Sequence, residues 1–169
     1  KINPNIIAAT HEAMEITDLG EVLDYIETHE PDVVIHAAAM TDNRLVEKEP
    51  YRAVSTNIIG TANVALACVY HNIRLVYLST DYVYAGERGN FSEQEPLKPF
   101  NLYAWSKLGG ECSVVGVENH LIIRTSFGGN FQYKQAFTDK YSSKDYVDRL
   151  APQIYEAAVS PLTGVLNLG

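Results

Sequence analysis

The chain has 169 residues and a mass of 18.8 kDa, a length that favours one compact domain. Hydrophobic residues make up 46% and charged residues 20%, which is ordinary globular composition and excludes a wholly disordered chain or a coiled coil. The formal net charge of −8 disfavours a nucleic-acid partner, because an acidic surface repels phosphodiester backbones.

Apolar periodicity predicts strands and helices that alternate along the chain. A strand is expected at residues 5–9, and Asp18 is expected to N-cap a helix with Glu21 as its capping-box partner. Pro50 is expected in the first turn of a later helix. The other predicted elements are strands at 32–36, 75–79, 121–124 and 165–168, a loop over 81–101, and helices over 51–70, 103–115 and 144–160. This alternation is typical of a doubly wound α/β fold, in which ligands bind at the carboxyl ends of parallel strands.

The remaining composition argues against several partners and locations. No apolar run approaches the roughly 20 residues that span a bilayer, so no membrane partner is expected. The two cysteines have no metal-ligand spacing, and no signal peptide opens the chain. We therefore expect no metal site and a cytoplasmic location.

The segment 103–107 (YAWSK) is one candidate for chemistry. Tyr103 and Lys107 are four residues apart on a predicted helix and therefore share a face. A nearby ammonium favours the phenolate and lowers the pKa of a tyrosine, which can then give or take a proton near neutral pH. A surface lysine beside a half-buried tyrosine is the structural alternative.

Two further clusters directly follow predicted strands. The Thr80 hydroxyl, within residues 79–82 (STDY), can donate a hydrogen bond to a substrate oxygen, although turns also favour such clusters. The three alanines at 37–39 would let a flat ligand approach the backbone, but tight helix–sheet packing explains them as well. His36 is expected to be a packed histidine and not a ligand.

Taken together, these motifs resemble the extended short-chain dehydrogenase/reductase superfamily, which has a Rossmann core. The matching segments are 32–39 (DVVIHAAA), 57–61 (NIIGT), 78–84 (LSTDYVY), 103–107 (YAWSK) and 123–126 (IRTS). Within the superfamily, the STDYVY run and the spacing of Pro99, Asn101 and Tyr103 are most similar to the dTDP-4-dehydrorhamnose reductase family. The resemblance implies an NAD- or NADP-dependent enzyme, with NADP favoured, that reduces the C4 ketone of a 4-keto-6-deoxy sugar nucleotide.

The resemblance also implies roles for individual residues. Tyr103 would pass a proton to the sugar's carbonyl oxygen, Lys107 would hold the nicotinamide ribose and lower the tyrosine pKa, and Thr80 would hydrogen-bond the reacting oxygen. Asn57 would hold Lys107 through water or backbone. The further implied cofactor-binding residues are Ala37, Ala38, Ala39, Glu15, Ser79, Arg124 and Thr125, and the further substrate-binding residues are Thr41, Asp81, Tyr82, Asn101, Ser126 and Phe127.

The same positions separate this chain from other sugar-nucleotide enzymes. The family's dehydratases have an acidic pair after the threonine, whereas Asp81 is followed here by Tyr82. Epimerases that invert C3 and C5 use a cysteine where this chain has Thr80. Reduction and C4 epimerisation remain, and a non-catalytic regulatory or binding homologue is a further alternative.

One part of the family pattern is missing from the sequence. No glycine cluster precedes residue 5, although those glycines cradle the cofactor pyrophosphate. We expect residues 1–127 to form a partial NAD(P)-binding Rossmann domain without the first strand, Gly-rich loop and first helix, and 128–169 to form a partial substrate lobe and closing strand. This chain alone is then expected to bind cofactor poorly and to be inactive. Thr10 and His11 leave the choice of NAD or NADP open.

Two surface interpretations complete the sequence-based expectations. A helical apolar face could support a homodimer, although core packing explains it equally well; its members are Val54, Ile58, Ala62, Ala65 and Val69. A diphosphate could meet Tyr133, Lys134, Lys140 and Lys144, although a solvated charged face is the simpler interpretation.

Overall fold

The computed structural model describes residues 6–128 and 143–169, which form a parallel sheet flanked by helices. In chain order the elements are α1 (Leu19–His29), β1 (Val33–His36), α2 (Asn43–Lys48), α3 (Pro50–Val54), a π-helical turn (Ser55–Gly60), α4 (Thr61–His71), β2 (Arg74–Thr80), a 3₁₀ turn (Asp81–Val83), α5 (Leu102–Val114), β3 (His120–Thr125), β4 (Phe127–Gly128), β5 (Asp145–Tyr146), α6 (Val147–Val159) and β6 (Gly164–Leu168). The main sheet has the order β1-β2-β3-β6, with all pairs parallel, and β4 pairs with β5. The predicted α/β class is confirmed.

Each face of the main sheet carries its own hydrophobic cluster. Tyr77 of β2 and Ile122 of β3 pack on one face with buried residues of α1, α4 and α5. Val76 and Ile123, the neighbours of those residues along the strands, pack on the other face with α6. Because successive strand residues point to opposite faces, a few apolar strand residues supply both layers of the core.

Residues 50–71 form one continuous helical segment, in which the π-helical turn joins α3 to α4. Pro50 occupies the first helical turn, as predicted. The segment is 22 residues long, and its length and apolar composition alone would allow it to cross a membrane. Half of its most apolar window is buried inside the fold, so packing accounts for much of that composition. The expectation that no apolar stretch reaches this length is therefore wrong for this helix.

The proposed dimer face is divided between surface and core. Ala65 is only 4% exposed and belongs to the core cluster under α4. Ile58 packs against Gly109 of α5, where an added Cβ would lie 2.7 Å from Ile58 Cδ1. Val54 and Val69 are exposed. The face predicted from helical spacing thus mixes residues that contact α5 or the sheet with residues that face solvent.

The predicted first strand is wrong. Residues 6–10 have no regular structure, and Asn5 lies outside the described residues. A strand forms only where a neighbouring strand supplies hydrogen bonds. Residues 7–10 and β1 instead both line a cavity of about 730 Å³.

The start of α1 is only partly as predicted. Asp18 caps the helix, with its side chain accepting bonds from the N–H groups of Gly20 and Glu21. The reciprocal capping-box bond does not form, because the Glu21 carboxylate accepts from the Glu15 N–H at 2.8 Å. The sequence analysis does not predict helix α2. Asp42 caps this helix in the same way as Asp18 caps α1, and such a residue is a sequence signal for the start of a helix.

We expect Gly110→Ala to destabilise the fold by about 1–3 kcal/mol. A Cβ at this position of α5 would lie 2.5 Å from the Tyr77 hydroxyl and 2.8 Å from the main-chain oxygen of Asn57, and neither group can move freely. Urea unfolding measures the change. Gly89→Ala is the matched control, since a Cβ there meets nothing within 4 Å. Equal stability of the two variants would show that α5 is not held this closely.

Candidate active site

The candidate site lies at the carboxyl ends of β2 and β3, where Thr80 pairs in register with Thr125. Helix α5 begins at the residue after its N-cap, Asn101, whose side chain accepts a hydrogen bond from the Ala104 N–H at 2.8 Å. The side chain of Tyr103, in the first turn of α5, lies close enough to the Thr80 hydroxyl for Thr80 to act on its pKa. The strand end and the helix cap thus bring together the two hydroxyls that the sequence singled out.

The pKa of Tyr103 is raised, which is opposite to the sequence-based expectation. Burial is the largest cause of the raised pKa, the nearby Thr80 hydroxyl acts in the lowering direction, and Asp81 and Tyr82 add to the increase. The Lys107 ammonium lies 4.2 Å from the centroid of the Tyr77 ring. Spacing on the helix predicted that Tyr103 and Lys107 share a face, but it did not predict that burial would dominate the pKa of Tyr103.

Lys107 and His36 occupy a buried cluster around the Tyr77 ring. Burial lowers the pKa of Lys107 to about 7, with the Glu111 carboxylate opposing the change. Burial and, to a smaller extent, Lys107 lower the pKa of His36 to about 3. The His36 ring stacks on Tyr77 with centroids 5.5 Å apart and its Nε2 lies 3.0 Å from the Thr61 hydroxyl oxygen. His36 is therefore a packed, neutral histidine, as predicted.

Asn57, in the π-helical turn, holds the loop that follows β1. Its Oδ1 accepts from the Met40 N–H at 2.7 Å, and its Nδ2 donates to the Met40 carbonyl oxygen at 3.0 Å. The same Nδ2 donates to the Ser106 hydroxyl oxygen at 2.8 Å. Ser106 directly precedes Lys107, and Met40 directly follows Ala37–Ala39 in the loop after β1, here called the alanine loop. Asn57 therefore supports Lys107 indirectly.

Ser79 and Arg124, two of the implied cofactor-binding residues, are engaged inside the fold. Ser79 Oγ donates to Glu111 Oε1 at 2.5 Å, and Arg124 Nη2 donates to Glu111 Oε2 at 2.8 Å. All three residues are buried. Sequence reasoning missed Glu111, although it lies four residues beyond Lys107 and so continues the stripe of Tyr103 and Lys107 along α5.

Other implied cofactor residues line the cavity beside β1. Ala37, Ala38 and Ala39 are part of its wall, as is Glu15. Glu15 already accepts bonds at 2.9 Å from the N–H and the hydroxyl of Thr17. The cavity lining does not include Tyr103, Lys107 or Thr80, so the alanine loop is the link between the cavity and the strand ends.

The implied substrate residues surround the same edge. The Tyr82 ring packs against Phe100 and Tyr103, with centroids 5.1 Å and 6.4 Å away. Phe127 is 44% exposed, and the Ser126 carbonyl oxygen accepts from the Asp145 N–H at 3.1 Å. Thr41 is exposed. Of the residues considered for a diphosphate, Tyr133, Lys134 and Lys140 lie outside the described residues, and Lys144 lies against Gly128.

Comparison with protein families places these features in a known group. A family model described as the RmlD substrate binding domain matches residues 2–146. The chain is 32% identical over 133 residues to a dTDP-4-dehydrorhamnose reductase of Aggregatibacter actinomycetemcomitans, covering 75% of this chain and 45% of that protein. It is 33% identical over 110 residues to methionine adenosyltransferase 2 subunit beta of Pongo abelii, covering 65% of this chain and 32% of that protein.

Solved structures give the same grouping. A dTDP-4-dehydrorhamnose reductase of Bacillus anthracis, in complex with NADP, superimposes with a TM-score of 0.88 at 29% identity, covering 100% of this chain and 68% of that one. The chain spans about half the length of the curated relatives it matches, between 45% and 62% of the first three. The resemblance seen in the sequence motifs is confirmed.

Proposed function

The chain belongs to the RmlD substrate binding domain family, and from that membership we propose that the protein carrying it reduces a keto-sugar nucleotide with a nicotinamide cofactor. The proposed substrate is a 4-keto-6-deoxy sugar nucleotide such as dTDP-4-dehydrorhamnose, after the names of the relatives. The observation that carries the proposal is the proximity of Tyr103, in the first turn of α5, to Thr80 at the end of β2.

The state of Tyr103 suits the proposed direction of reaction. Because its pKa is raised, the phenol keeps its proton at neutral pH and can donate it to a carbonyl oxygen that is becoming an alkoxide. The Thr80 hydroxyl would hydrogen-bond the same oxygen and hold it in reach of the phenol. Phe127 and Tyr82 would form aromatic walls beside the sugar ring.

The residues present fit a nicotinamide dinucleotide. Ala37–Ala39, in the loop after β1, have small side chains that permit close approach of a flat ligand. At the strand ends, Thr125 Oγ1 is buried without a hydrogen-bond partner among the described residues and would be satisfied by a polar ligand atom. Ala37–Ala39, Glu15, Thr125 and Lys107 would hold this cofactor, which supplies the hydride when bound. Either NAD or NADP fits this proposal.

We also propose that the protein forms a homodimer and is located in the cytoplasm. The exposed residues Val54 and Val69 could join a homodimer interface, and a cytoplasmic location suits a sugar-nucleotide enzyme. C4 epimerisation uses the same Tyr103 and Thr80 and is the alternative activity. A non-catalytic role, as in a regulatory subunit, has no use for a protonated phenol beside the strand ends.

Consumption of reduced cofactor tests the proposal. The protein carrying this chain is mixed with NADPH or NADH and a 4-keto-6-deoxy sugar nucleotide, and absorbance at the nicotinamide band is followed. Sugar-dependent oxidation is the expected result. Absence of oxidation with cofactor and sugar both bound would contradict reduction and favour a binding role.

A further inference from the structure

Glu111 is a buried carboxylate of α5 that contacts residues of both β2 and β3. It is 3% exposed and lies on α5, one turn beyond Lys107 and two turns beyond Tyr103. Its Oε1 accepts from the Ser79 hydroxyl at 2.5 Å, and Ser79 directly precedes Thr80 on β2. One side chain of the helix that carries Tyr103 is thus bonded to the residue next to Thr80.

The second partner of Glu111 extends the connection to β3 and to the following loop. Arg124 binds both carboxylate oxygens, through Nε at 3.1 Å and Nη2 at 2.8 Å, and directly precedes Thr125. Arg124 Nη1 donates to the Tyr84 hydroxyl oxygen at 2.8 Å, just beyond the turn that contains Asp81. Helix α5, both strand ends and the turn are therefore connected through one ion pair.

We propose that Glu111 is a positioning residue that sets the placement of the Tyr103 phenol against the Thr80 hydroxyl. The inference rests on the proposed function, because this placement affects a reaction only if the two hydroxyls act on a substrate oxygen. A misplacement of about 1 Å between reacting groups can cost about 10²-fold in rate. A bidentate, buried contact restricts α5 against β2 and β3 more tightly than apolar packing alone.

Glu111 also acts electrostatically on Lys107. The ionisable groups that face this lysine are His36 of β1, Tyr77 of β2 and Glu111 of α5, with Arg124 of β3 bound to Glu111. Glu111 is the negative charge that opposes the effect of burial on the pKa of Lys107. Removing that charge should move the Lys107 pKa further below about 7.

The Glu111→Gln variant, measured without cofactor or sugar, tests whether Glu111 acts electrostatically on the pKa of Lys107. NMR titration of the Lys107 side chain should show its midpoint at lower pH than in the parent protein, a shift that loss of packing alone would not give. An unchanged midpoint in the folded variant would overturn the action of Glu111 on Lys107. Glu118→Gln, which removes an exposed carboxylate just beyond α5, is the matched control and should leave the midpoint unchanged.

A second variant covers the case in which Glu111→Gln leaves Arg124 unpaired and unfolds the chain. In Glu111→Leu/Arg124→Met, apolar residues replace the whole pair, a change that proteins often tolerate. The folded double variant should lose up to about 10²-fold in kcat with little change in KM. Parent-like kcat in that variant would overturn the positioning role. Absence of turnover in the parent protein would instead reject the proposed function, and the Lys107 titration would still decide whether Glu111 acts on the lysine.

Discussion

Replacing Tyr103 with Phe is expected to lower kcat for ketone reduction by about 10²- to 10⁴-fold, which corresponds to about 3–5 kcal/mol in the barrier. The change removes one hydroxyl and with it the proton that would neutralise the developing alkoxide. The ring and its contact with Tyr82 remain, so the fold and the KM values should change little. Steady-state kinetics with a keto-sugar nucleotide measures the effect.

Tyr70→Phe provides the control for this prediction. Tyr70 is 80% exposed on α4, away from the strand ends, and loses the same hydroxyl. Its kcat should equal that of the parent protein. If Tyr103→Phe keeps parent-like turnover, the proton comes from another group and the proposed role of Tyr103 is wrong.

Acid is expected to destabilise the fold through His36 before carboxylates titrate. The His36 pKa is about 3 in the folded chain and 6.5 in an unfolded reference, so the unfolded state alone binds this proton between those values. The free energy of unfolding therefore falls as pH decreases from 6.5 towards 3. The full displacement corresponds to about 5 kcal/mol, of which about 2 kcal/mol is expected between pH 6.5 and 5.

Urea unfolding at pH 6.5 and pH 5 measures this loss as a difference between variants. His36→Gln removes the titrating ring, and its stability should depend less on pH than that of the parent protein in this interval. His11→Gln removes an imidazole whose side chain is 84% exposed and is the matched control. Equal pH dependence in the parent protein and His36→Gln would mean that His36 is not held neutral.

Sequence motifs located the candidate site because its residues follow strands, and the strand ends of a parallel sheet meet at one edge. Thr80 was identified in this way and Tyr103 by its helical spacing to Lys107, and in the structure Thr80 lies close enough to Tyr103 to act on its pKa. Helix spacing also placed Lys107 on the face of Tyr103. The spacing does not predict the depth of burial, which raises the pKa of Tyr103.

Long-range partners were the part that sequence reasoning could not supply. Glu111 binds Ser79, 32 residues away, and Arg124, 13 residues away, and no local sequence pattern predicts either contact. The predicted strand at residues 5–9 failed for a similar reason. Its apolar composition suits a strand, but strand formation depends on a paired neighbour, which a local window does not contain.

Transfer of deuterium to the sugar from NADPH that carries deuterium at both C4 positions of the nicotinamide tests ketone reduction most directly. The protein carrying this chain is incubated with the labelled cofactor and a 4-keto-6-deoxy sugar nucleotide, and the product is examined by NMR and mass spectrometry. Reduction predicts one deuterium at C4 of the sugar for each cofactor oxidised. A sugar product without deuterium, as epimerisation with a recycled cofactor would give, would contradict the proposed reaction.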